Sequence, residues 1–206
     1  LRLKEAGDDF SLLFTRLEPV QASVPFAALA GWLRSVDGPS QSEDSLRPKW
    51  HKWLHSRYAE AEAERYIQTL SSVLRLSAPR LPDSATVQSH PDREAIVDAF
   101  CALLVAASAD APLLIAADNV HFVDALSRGA IETAMQRLID TPILLLGLGR
   151  PEIDELIPHF LEGLPTDRVR LGRLPSKTAD KLLQQLAVEP AEKREALAHD
   201  GCGLPQ

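Results

Sequence analysis

Two apolar runs constrain this chain more than anything else in it. "LLIAA" occupies residues 113–117 and "PILLLGL" occupies 142–148, and neither alternates with polar residues. A strand with one wet face reads apolar and polar in turn, whereas a strand covered on both faces reads as a continuous apolar run. Residues 125–139 lie between the two runs and have the length of a crossover helix, which parallel strands require. Strand, helix and strand in this order predict a parallel α/β sheet flanked by helices on both faces.

The rest of the chain fits around that unit. "FSLLFTRL" (10–17) reads as another strand. "PFAALAGWLRSV" puts Phe26, Leu29, Leu33 and Val36 on one helical face, with Pro25 at the first helical position. "DGPSQSED" (37–44) is loop. Residues 46–76 read as helix in two pieces, with Ile67, Leu70 and Leu74 facing inward. A long connection leads to a helix over 92–108, nearly apolar in its second half and therefore buried. "DRVRLGRL" (167–174) can hold one more short strand, and two helices over 176–186 and 190–199 close the chain. The reading gives a partial core over 1–174 and the start of a helical extension over 175–206. A chain of 206 residues is long enough for such a core.

The formal net charge of -7 argues against generic nucleic-acid or anionic-membrane binding. Cys101 and Cys202 make no zinc or disulfide pattern, so a reducing cytoplasm is the expected compartment. Cys101 sits in an apolar run, as a small buried residue does. "LRLKEAGDD" is no signal peptide, and no run approaches the roughly 18 apolar residues of a membrane span. The first residues read as the tail of a helix, which leads us to expect a fragment of a longer chain.

The chemistry concentrates after the first apolar run. In an open parallel sheet, ligands sit beyond the carboxyl ends of the strands, and Asp118 stands there. A carboxylate at that edge can hold magnesium through the ion's waters. It can equally end a strand or cap the next helix. Arg150 follows the second run, where a guanidinium could read a phosphate or simply face solvent. "GCGLP" (201–205) follows a helix, and its Pro205 could press against a flat base. The same residues also suit ordinary helix termination at Gly201.

Together, in this order, these segments resemble STAND-class ATPases, a signalling branch of the AAA-like P-loop NTPases. "EPVQASVPFAALAGWLR" resembles the segment after the second strand in ATPase regions attached to bacterial serine/threonine kinases. "APLLIAADNVHFVDALS" resembles their Walker B block, with His121 and Asp124 matching and Phe122 replacing a tryptophan. "PILLLGLGRPEIDELIP" resembles their sensor strand, "VRLGRLPSKTADKLLQQL" the start of their helical domain, and "GCGLP" the turn that touches adenine. The resemblance implies a P-loop-NTPase-like sheet binding ATP or ADP with magnesium. Asp118 would be the magnesium carboxylate, Arg150 the γ-phosphate sensor and Pro205 an adenine contact. It further implies a signal-transduction module beside other domains of its chain, such as a kinase domain or helical repeats.

Two departures qualify that expectation. No G-x-x-x-x-G-K-[ST] occurs in the 206 residues, so the phosphate-cradling loop and its lysine are missing. The resemblance would put them just before Leu1, on a strand whose loss should expose an edge beside the 142–148 strand. The family also carries an acid where this chain has Asn119. An amide cannot take a proton near neutral pH, although it can orient a water. The expected module therefore hydrolyses slowly or not at all.

Two alternatives belong to other classes. A nucleotide-free pseudo-ATPase would serve as an interaction platform. A small α/β metallohydrolase would use Asp118, His121 and Asp124 as ligands. "HKWLH" also places His51 and His55 at i, i+4, a spacing that can chelate zinc. The zinc-protease pattern needs glutamate after the first histidine, and Lys52 stands there, so the pair reads as a solvated helix face.

Overall fold

Three strands, β1 (Ser11–Arg16), β2 (Leu113–Asp118) and β3 (Ile143–Gly147), build the sheet. They are seen in a computed structural model that describes residues 10–36, 51–77 and 92–172, with 175, 178 and 181. The order is β1-β2-β3 and both pairings are parallel. Leu13 lies beside Ile115, which lies beside Leu145, and Arg16 lies opposite Asp118. The two apolar runs are therefore neighbours, as expected.

Helices α1 (Ala27–Ser35), α2 (Glu60–Leu76) and α3 (Arg93–Ala107) fill the path from β1 to β2. Helix α4 (Ala125–Arg137) crosses from β2 to β3, and a single turn, α5 (Ile153–Leu156), follows. Of the two-piece helix expected over 46–76, residues 46–50 lie outside the described residues, and the rest appears as a helical segment over 51–55, a turn and α2. Ile67, Leu70 and Leu74 of α2 are buried, as their spacing predicts. Helix α3 buries nine of its residues, including Ile96, Phe100 and Leu103, which explains why its sequence shows so little polar character.

The core lies between these helices and one face of the sheet. Leu13 of β1, Leu17 just after it and Ile115 of β2 meet Leu29, Trp32 and Leu33 of α1 there. Trp32 stacks on Phe100 at 6.2 Å between ring centroids, and its indole N–H donates to the Ala116 carbonyl at 2.8 Å. The large ring is thus buried with its polar atom satisfied. Full burial of each such side chain contributes roughly 1.5–3 kcal/mol. Gly31 allows α1 to reach the sheet, since a Cβ there would clash with Thr15 Oγ1.

The opposite face departs from expectation. Phe14, Leu144 and Leu146 are 44%, 65% and 44% exposed. Phe14, Ala116 and Leu146 lie in one row across the sheet. The described helices cover the Leu13 face and leave this one open. A continuous apolar run specifies that both faces want cover; it does not specify where the cover comes from. The edges differ too. Ser35 of α1 accepts the outward Phe14 N–H at 3.0 Å, whereas β3 has no further strand among the described residues.

Helix α1 corrects one expectation. Pro25 is not its first residue but sits in a turn, and Phe26 precedes the helix with a left-handed φ of 57°. The cause is a contact from β2's side of the molecule, described below.

The chain divides into two compact units, Leu1–Leu164 and Pro165–Gln206. In the second, residues 165–172 take no regular structure, so the short strand expected over 167–174 does not form across 167–172. Val169 and Leu171 are exposed there. Thr178 donates its backbone N–H to the Pro175 carbonyl at 2.8 Å. Pro205, Cys202 and most of the two closing helices lie outside the described residues. Among those described, no helix is long and apolar enough to cross a membrane.

Candidate functional site

The carboxyl edge of β2 and β3 collects the residues singled out by sequence. Asp118 is the last residue of β2. Asn119 follows in the left-handed conformation (φ 57°, ψ 41°) and opens a single 3-10 turn over Val120–Phe122. Asparagine tolerates that conformation better than most residues. The turn is pinned to the residue that follows β3, because Val120 N–H donates to Leu148 O at 2.9 Å and Leu148 N–H to Ala117 O at 2.8 Å. Gly149 fits closely beneath it, since a Cβ would meet Ile153 Cδ1 at 3.0 Å and Val120 Cγ1 at 3.4 Å. Arg150 then leaves the same edge, exposed at the start of the turn into α5.

Asp118 is not idle. Its Oδ2 accepts from Arg16 Nε at 2.8 Å and its Oδ1 from the Asn119 N–H at 2.9 Å. Arg16 is the residue opposite Asp118 in register, and sequence reading missed it. The pair's side chains are 70% and 25% exposed, so its contribution to stability is small, about 0–1 kcal/mol. Asn119 is also engaged, donating from Nδ2 to the Leu17 carbonyl at 3.2 Å. That bond ties the end of β1 to the end of β2.

His121 is different. It is buried, and among the described residues neither ring nitrogen has a hydrogen-bond partner. Burial lowers its pKa below the ordinary 6.5, and the nearby Arg150 charge lowers it further, against weaker opposing effects of Glu152 and Asp118. The ring is therefore neutral near pH 7, with its acceptor nitrogen unused. Unpaired polar atoms in buried places are uncommon. This one lies among Asp118, Arg150 and the Phe122 ring, whose centroid is 4.1 Å away.

Asp124 settles the metal-ligand reading of Asp118, His121 and Asp124. Asp124 is 3% exposed. Oδ1 accepts from the backbone N–H groups of Ser127 at 2.9 Å and Phe26 at 3.0 Å, and Oδ2 from Ala28 at 3.3 Å. It caps α4 and holds the entrance of α1 at once, which is what bends the chain at Phe26. Ser127 Oγ completes the joint by accepting from Leu29 N–H at 3.2 Å. With its oxygens given to amides, Asp124 does not join Asp118 and His121 around a metal. Sequence reading gave Asp124 neither role, the cap of α4 nor the reach to α1.

Asp118 is the residue of this edge that could hold a cation. Asp118 is partly exposed and each oxygen has made a single bond, so water-mediated contact to a cation remains open to it. A surface cleft of about 350 Å³, lined by Arg128, Glu132, Pro158 and His159, lies among residues other than those of the edge. No protein-family model, curated protein or solved structure matches this chain.

Proposed function

We propose that this chain forms part of an ATP- or ADP-binding switch module in a multidomain signalling protein, with weak or no hydrolysis. The supporting observation is the company of Asp118, the unpartnered His121 and Arg150 at one carboxyl edge of adjacent parallel strands. Asp118 would hold magnesium through its waters, and Arg150 would meet the terminal phosphate. Bound nucleotide with magnesium supplies the charge that these residues read. Asn119 can orient a water but cannot accept its proton, which suits a slow switch. The strand that the resemblance adds would pair beside β3, and the open edge and exposed Leu144 and Leu146 are compatible with that place. In the proposed setting, the module's partners are other domains of its own chain, such as a kinase domain or helical repeats.

A second reading, a nucleotide-free interaction platform, draws on the Arg16–Asp118 and Asn119–Leu17 bonds. These satisfy the edge internally. Calorimetry separates the two. The 206-residue chain should show no micromolar magnesium-ATP binding, because it lacks a phosphate cradle. A natural chain that includes a P-loop should bind, and Asp118→Ala should remove the magnesium dependence of that binding. Micromolar binding by the 206 residues alone would mean that the site is elsewhere. A P-loop-bearing chain that ignores both Asp118→Ala and Arg150→Ala would refute the switch reading.

A further inference from the structure

A second constellation lies away from the sheet edge. His51 and His55 stand one turn apart on the helical segment 51–55, and Glu64 stands on the first turns of α2. The glutamate was not part of any sequence motif; the fold brings it in. Its Oε1 lies 3.3 Å from His51 Nδ1 and 3.6 Å from His55 Nε2. The two rings are nearly parallel, at 8°, with centroids 5.2 Å apart. One ligand atom from each of the three side chains lies within 4.8 Å of the others. Among the described residues these are the ones that meet this condition.

We infer that His51, His55 and Glu64 form a binding site for a divalent transition metal of the zinc type. Three lines of argument carry it. The first is spacing. Ordinary N–H···O bonds are about 2.7–3.2 Å long, and both His–Glu separations exceed that. Zinc bonds to imidazole and carboxylate of about 2.0–2.2 Å, opened to a tetrahedral angle, place ligand atoms roughly 3.4 Å apart. The observed 3.3 and 3.6 Å bracket that value.

The second is rigidity. Leu54 is fully buried between the two histidines, and Ala63 is fully buried beside Glu64. These apolar anchors fix both backbones and turn the three ligands outward. The connecting turn is also tied, with Arg57 and Tyr58 N–H groups donating to Leu54 O at 3.1 and 2.8 Å. Tyr58 and Tyr66 meet edge to face at 5.3 Å across it. Little ordering is left for the metal to impose.

The third is ligand type. Two imidazoles and one carboxylate suit zinc, copper or nickel, whereas magnesium and calcium prefer all-oxygen sets. Three protein ligands leave a fourth position for water or for a ligand from another molecule. All three side chains are part-exposed, so an ion can enter from solvent. The site is independent of the nucleotide reading and would clamp the 51–55 segment to α2.

Zinc chloride titrated into the 206-residue chain by calorimetry tests this. We expect one ion per chain with a micromolar dissociation constant. His51→Ala, His55→Gln and Glu64→Gln should each weaken it at least about tenfold, since even partners that only orient a ligand are worth 10- to 100-fold. Cys101→Ser and His159→Gln should bind as the parent does. Circular dichroism checks that each variant is folded, and exposed positions make that the expected result. Cobalt(II) gives a second readout, with visible bands of nitrogen and oxygen ligation and no thiolate charge transfer. Failure of the parent chain to take up zinc below millimolar concentration overturns the inference. So does unchanged affinity in any one of the three ligand variants, or loss of binding in Cys101→Ser.

Discussion

Removing the carboxylate of Asp124 should unfasten two helices with one substitution. Its three acceptor bonds, to Ser127, Phe26 and Ala28, are all to buried backbone amides. An N-cap aspartate replaced by alanine costs about 0.5–2 kcal/mol. The amides of Phe26 and Ala28 are then also left without an acceptor, at about 1–3 kcal/mol each. The Ala28 bond is long at 3.3 Å and belongs at the lower end. Asp124→Ala should therefore destabilise by about 3–5 kcal/mol, a large part of the roughly 5–15 kcal/mol typical of a domain. Asp124→Asn provides the internal check. Both the Ser127 and Phe26 bonds end on Oδ1, so an amide oxygen there keeps two of the three. The amide nitrogen would face the Ala28 N–H, and the cost should fall to about 1–2 kcal/mol. Urea unfolding measures both, with the slope held constant so that midpoints report stability. An alanine variant within about 1 kcal/mol of the parent would show that α1 and α4 are held by packing alone. Equal losses for alanine and asparagine would show that charge, not acceptor geometry, is what the joint uses.

Other perturbations follow from single contacts. Gly31→Ala would drive a methyl into Thr15 Oγ1, and should cost about 1–3 kcal/mol in urea unfolding. His121 is held neutral by burial, so the unfolded chain binds the proton more readily; stability should be complete above the ordinary pKa of 6.5 and fall as pH drops below it. His121→Leu should flatten that part of the pH–stability curve, and an unchanged curve would discount the burial argument. Burial pushes the Cys101 thiol up to about 11, so its alkylation by iodoacetamide at pH 8 should be slow in the folded chain and quick in urea. Asn119→Asp replaces the donor on Leu17 O with a second carboxylate oxygen at about the same distance. It should cost about 1–2 kcal/mol in stability, while in a P-loop-bearing chain it should raise single-turnover hydrolysis at least roughly tenfold.

The sequence was most legible where the physics is local. The apolar runs at 113–117 and 142–148 announce parallel neighbours, and the nearly apolar second half of α3 announces burial. The spacing of Ile67, Leu70 and Leu74 gives the inward face of α2. It was least legible where the cause lies far away along the chain. Arg16 meets Asp118 across 102 positions and Asp124 reaches Phe26 across 98. Only the β1–β2 register and the approach of the α1 entrance to the start of α4 bring those residues together. Pro25 was misplaced for the same reason. Locally it suits a helix start, but the Asp124 contact sets the entrance two residues later. Glu64 carries the same lesson for the histidine pair: the i, i+4 spacing was visible, while its third member waited on the packing of two helices. The open face of the sheet was hidden because composition reports a need for cover on two sides without saying what supplies it.

The carboxyl edge separates into fixed and exchangeable parts, and the separation bears on how a ligand could act there. Asp124 is buried and bound to three amides, so no ligand displaces it without unfastening α1 and α4. Asp118 is held differently. Its partner Arg16 is largely in solvent, and an exposed ion pair of this kind is worth about 0–1 kcal/mol. A cation arriving at Asp118 would therefore displace Arg16 at little cost, freeing a guanidinium at the end of β1. His121 stands next to this exchange with no hydrogen bond to lose among the described residues, and Arg150 already acts on its charge. A switch of the proposed kind needs groups that trade partners cheaply on a frame that does not yield. Asp118 and Arg16 have the first property and Asp124 supplies the second.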